Sequence, residues 1–88
     1  MSTFIVKRTL PGISMEALGQ AQALAISTCE KMTAEGMAIE YIRSNFFPVD
    51  STCFCMFESD AARIVEKMND DAPIPYDEVT EVIDLPHP

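Results

Sequence analysis

The sequence predicts an α+β domain of the βαββαβ plan: a four-stranded antiparallel sheet with two helices on one face. Three observations predict it. Segments with two-residue alternation and segments with a 3.6-residue apolar period follow one another as strand, helix, strand, strand, helix, strand. The breaks between them carry turn residues: Pro11-Gly12, Gly36, Pro48 to Ser51, and Pro73 with Pro75. No linker, repeat or low-complexity stretch interrupts the 88 residues, so 1–88 form one domain, with 85–88 as a loose tail.

The first strand runs from Thr3 to Leu10. Phe4 and Val6 share a face with Arg8, which makes Arg8 the odd residue on an apolar face. A helix follows from Ser14 to about Glu35. Ser14 is its N-cap, Glu16 suits the helix dipole in the first turn, and Gly36 suits the position just past the end. Leu18, Ala21, Ala25, Cys29 and Met32 form its apolar stripe, widened by Ala17 and Leu24, and the alanines allow close approach to the sheet. Gly19 inside this helix is unfavourable by about 1 kcal/mol against Ala and has no sequence-level reason beyond close packing.

The second strand, Ile39 to Phe47, alternates Ile39, Tyr41, Arg43 and Asn45 against Glu40, Ile42, Ser44 and Phe46. The third, Thr52 to Glu58, is apolar on both faces. Such a strand needs cover on both sides, and two helices supply one. A second copy of the chain is the simplest other cover, which predicts a homodimer. Ser59 is read as the cap of a second helix, Asp60 to about Asn69, with Ala61, Ile64, Val65 and Met68 as its stripe. A last strand spans Glu78 to Asp84.

Six basic against fourteen acidic residues give a net charge of −8. That disfavours nucleic acid and anionic membrane surfaces as partners, since both are held by Lys and Arg. No apolar run approaches the ~20 residues of a membrane span, and no signal peptide is visible. Three cysteines, Cys29, Cys53 and Cys55, without a disulfide framework suggest reduced thiols, and a cytoplasmic location is the expectation.

Three groupings could carry chemistry. Arg8, Tyr41 and Arg43 would line one face of the sheet, and two guanidiniums beside a phenol suit a small anionic ligand, carboxylate or phosphate. Cys53 and Cys55 lie two apart on a strand, with Cα atoms roughly 6.5–7 Å apart, and two thiolates could share a soft metal. His87 is a weak metal ligand in the tail. Helix one should bury Cys29 in the core. No nucleophile–base pair is present, and a single histidine offers no triad.

Several stretches resemble one family. Val6-Lys7-Arg8-Thr9-Leu10-Pro11-Gly12 is similar to its strand-ending E-R-x-L-P-G motif. Thr28-Cys29-Glu30-Lys31-Met32 through Gly36 resembles its helix end, and Tyr41-Ile42-Arg43-Ser44 its second strand. Phe54-Cys55-Met56-Phe57 resembles its Y-C-x-Y strand, with Pro75 and Glu81 to Asp84 matching near the end. This is a small bacterial nickel-binding-protein-like family of unknown function. The resemblance implies a ferredoxin-like fold, a dimer akin to the dimeric α/β barrels, and nickel as ligand. Family members often carry histidines where Arg43 stands and near Met68; this chain has neither. The expected function is a non-enzymatic small binding protein. A small dimeric-barrel enzyme and a structural or partner-binding module are the alternatives.

Overall fold

The computed structural model describes all residues, Met1–Pro88. Six elements follow in the predicted order: β1 Ser2–Thr9, α1 Met15–Ala34, β2 Ile39–Phe47, β3 Thr52–Ser59, α2 Ala62–Asp71 and β4 Glu78–Val82. The strands form one antiparallel sheet in the order β2-β3-β1-β4. This is the ferredoxin-like α+β fold. No helix is long and apolar enough to cross a membrane.

The helices share one face of the sheet. Phe4 and Val6 of β1 and Cys53, Cys55 and Phe57 of β3 meet Ala25, Cys29 and Met32 of α1 and Val65 and Met68 of α2 in a single core. Helix α1 lies over β2, and α2 over β3 and β4. The Ser14 hydroxyl accepts the Ala17 N–H and caps α1. Gly36 takes φ +94° just beyond that helix, where a Cβ would be strained. Cys29 is buried on the α1 stripe as the spacing predicts, whereas Leu24 is exposed.

Two local expectations are corrected. Helix α2 begins at Ala62, not Asp60, and has no side-chain cap. The Ser59 hydroxyl donates instead to the Ala38 carbonyl at 2.7 Å, tying β3 to the start of β2. Strand β2 does not alternate evenly. Its register against β3 shifts between Tyr41 and Arg43, so Ile42 is an extra residue, a β-bulge. After the bulge, Ser44 and Phe46 stand opposite Cys55 and Cys53 on the helix side.

The other face of the sheet has no helix over it. Ile5 and Met56 pair across β1 and β3 there, and Phe54 lies beside Phe47 with ring centroids 5.5 Å apart, edge to face.

Candidate functional site

Between the first half of α1 and the sheet lies a cavity of about 180 Å³. Its helix wall is Met15, Leu18, Gly19, Ala21, Gln22 and Ala25, spaced so that they share one side of α1. The alanines expected to bring helix and sheet together leave this space instead, because no large side chain fills it. Gly19 is part of the opening: a Cβ built there meets nothing within 4 Å. Close packing is therefore not the reason for this glycine. The floor is supplied by Arg8, Tyr41, Ser44, Phe46, Cys53 and Cys55 from three strands, with Leu10 and Ile74 completing an otherwise apolar lining.

A chain of hydrogen bonds crosses that floor. Gln22 Nε2 donates to the Tyr41 hydroxyl at 2.8 Å, which lies 2.7 Å from Ser44 Oγ. Ser44 in turn donates to Cys55 Sγ at 3.0 Å. Since Tyr41 accepts from Gln22 and Ser44 donates to Cys55, the Tyr41 proton points to Ser44. Arg8 reaches Cys55 Sγ from the other side, Nε donating at 3.4 Å. Cys53 Sγ is 3.8 Å from Cys55 Sγ.

Arg8 is only 2% exposed. Its Nη1 donates to the Pro75 carbonyl at 3.2 Å, and its Nη2 is buried without an acceptor. No carboxylate pairs with it; the chain's one ion pair joins Lys67 and Asp71 on the surface of α2. Burial, and then the nearby Cys55, push the Cys53 thiol up to about 12, although Arg8 pulls the other way. Burial, helped by Glu30, pushes Cys29 up to about 11.

The structure brings Arg8 and Tyr41 into one cavity but places Arg43 elsewhere. The bulge at Ile42 turns the exposed Arg43 to the opposite face, beside Met56, and Ser44 takes the inward position. Cys53 and Cys55 share a side, as the alternation predicts, and both are free thiols. His87 is in the exposed C-terminal segment. The sequence does not mark Gln22, Ser44 and Phe46 as site residues and marks Gly19 only as a glycine without a reason inside the helix; the run of small residues along α1, read there as close packing, is the signal for the unfilled space.

No three His, Cys, Asp or Glu side chains converge anywhere in the chain. The thiol pair has a guanidinium against it, the wrong sign to sit beside a divalent cation. The residues present do not fit a resident nickel ion, which favours several converging nitrogen or sulfur ligands.

Fold and site thus define a small ferredoxin-like domain with a ligand-sized cavity under its first helix. Residues 4–82 match the family described as nickel responsive protein SCO4226-like, and the chain belongs to that family. It is similar to the crystal structure of SCO4226 from Streptomyces coelicolor A3(2), at 21% identity and a TM-score of 0.79, over 92% of this chain and 95% of that one. At this identity the likeness speaks for the fold alone. No curated protein matches.

Proposed function

We propose that this chain is a non-enzymatic binding protein that seats a small molecule in the cavity between α1 and the sheet, and that it works as a homodimer. The observation that carries the first part is the cavity itself: a mostly apolar lining with a few convergent polar groups, the usual make-up of a small-ligand site. The ionisable side chains in that lining are Arg8, Tyr41, Cys53 and Cys55. They can bind and orient; none is a carboxylate or imidazole placed for proton transfer at neutral pH, which favours binding over catalysis.

The uncovered sheet face supports the dimer. Ile5, Phe54, Met56 and Val82 are only half-buried there, and Phe47 is 48% exposed. A second copy packed face to face would remove these side chains from water. Nickel enters through the name of the family and is not proposed as the cavity's ligand, because the thiol pair lacks further ligands.

Amide-resonance NMR with a set of small neutral and charged aromatic fragments tests the cavity. Shifts should cluster on Leu18, Tyr41, Ser44 and Phe46 and disappear in Gly19→Leu, whose side chain would occupy the opening. Shifts that gather elsewhere, or none at millimolar fragment, would sink the reading.

A further inference from the structure

We infer that the cavity is an anion site, specific for a small monocarboxylate with an apolar body about the size of a benzene ring, its carboxylate held by Arg8. The inference rests on the cavity being a ligand site and names the chemistry of what it takes.

Arg8 carries the argument. A buried charge is normally paired, because leaving water is costly and only an opposite charge at close range offsets it. Arg8 has two weak substitutes: the Cys55 sulfur at 3.4 Å and a backbone carbonyl at 3.2 Å. Its Nη2 has neither solvent nor acceptor. The chain has fourteen acidic residues, and none of them pairs with this guanidinium. Directly across from Arg8 stands Cys53, where an aspartate would have closed a pair. The missing negative charge has to come from outside the chain, and the cavity that Arg8 lines is the place next to it.

The rest of the lining sets the class. One guanidinium balances one carboxylate and matches its two oxygens as a fork. A phosphate would bring more charge than Arg8 neutralises into a lining where Leu10, Leu18, Ala21, Ala25, Phe46 and Ile74 offer no donors. Size follows from volume: the cavity holds about 180 Å³, and cavities of about 150 Å³ admit benzene. To meet the carboxylate the guanidinium gives up Cys55 Sγ, which keeps its bond from Ser44.

The test is calorimetry on the full chain with benzoate, benzyl alcohol and inorganic phosphate. Benzoate should bind at least tenfold tighter than benzyl alcohol, and phosphate should give no heat. Arg8→Met should abolish the preference for benzoate while the circular dichroism spectrum is kept, and Gly19→Leu should block both aromatic probes. Benzyl alcohol binding as well as benzoate, or benzoate binding surviving Arg8→Met, overturns the anion inference and leaves the cavity as a ligand site. Failure of both aromatic probes in the wild-type chain overturns the cavity reading as well. Benzoate binding that survives Gly19→Leu places the anion outside the cavity and overturns the inference.

Discussion

Arg8 stands opposite Cys53 in the β1–β3 ladder but bonds diagonally to Cys55, Nε to Sγ at 3.4 Å. The direct partner, Cys53, lies 3.8 Å from Cys55 through its sulfur. The diagonal one joins the guanidinium to the Gln22–Tyr41–Ser44 chain. A charged group and the Ser44 end of a three-residue hydrogen-bond chain thereby meet on one sulfur at the floor of the cavity.

This arrangement is unfavourable for the empty protein. Even a buried ion pair can often be replaced by well-packed apolar side chains with no loss or a gain of about 1–4 kcal/mol, and a buried charge without a partner has less to hold it. Arg8→Met should therefore stabilise the unliganded chain by roughly 1–2 kcal/mol. The measurement is the urea midpoint at fixed protein concentration, with an unchanged slope. A loss of more than about 2 kcal/mol would instead make Arg8 a structural residue held by Pro75 and Cys55.

Gly19 gives the complementary case. Its side-chain position opens into space and its φ is not in the left-handed region. Gly19→Ala should stabilise by about 0.5–1 kcal/mol through helix propensity alone. A destabilised Gly19→Ala would mean that the helix needs backbone freedom at this turn, for instance to open the cavity.

Much of the fold was legible because each element carries its own period. Strand alternation and the α1 stripe gave the element order, and the apolar face of β1 already made Arg8 conspicuous. The site was legible only in part. A bulge leaves no mark in residue type, so Ile42 looked like any strand residue and Arg43 was placed on the wrong face. Ser59 has the chemistry of a cap, and only the nearness of the Ala38 carbonyl in three dimensions gives its hydroxyl a different partner. Gly19 and the alanines of α1 are small for a reason that exists only once the sheet is beneath them.

Cys29 and Cys53 set an alkaline limit on stability. Their folded values lie at about 11 and about 12 against an ordinary 9.0. The unfolded chain loses these protons near pH 9 while the folded chain keeps them, so above that pH the unfolded state binds fewer protons. Their contribution is fully present below about pH 8 and is lost as pH rises from about 9 towards 11 and 12, by at most about 1.4 kcal/mol per pH unit for each thiol. Urea titrations at about pH 7 and about pH 10 should show the fall, and Cys29→Ala should make it shallower. Stability that stays level to about pH 10 would contradict the burial of both thiols.

The dimer has its own test. Phe54 and Met56 face away from both helices, and Phe54 meets the exposed Phe47 edge to face. Sedimentation at micromolar concentration should give about twice the 9.8 kDa chain mass. Phe54→Lys puts a charge into the middle of the proposed interface and should yield a folded monomer. A wild-type monomer across the whole concentration series would remove the second copy from this face.

Nickel is where family name and residues diverge. The chain belongs to the nickel responsive protein SCO4226-like family, yet no three metal-ligating side chains of this chain converge. The Cys53 and Cys55 sulfurs are 3.8 Å apart and close enough to share an ion. Three things oppose it. Both thiols are buried, the Cys53 proton is held up to about 12, and Arg8 lies against Cys55. Binding would require the pair to lose its protons beside a cation that repels the metal. Calorimetry with nickel should show no transition tighter than about 10 micromolar, a strength of about −7 kcal/mol. Weak binding that survives Cys53→Ser would fall to surface carboxylates or His87. A sub-micromolar site that vanishes in Cys53→Ser or Cys55→Ser would overturn this, and Arg8→Met would then be expected to tighten it.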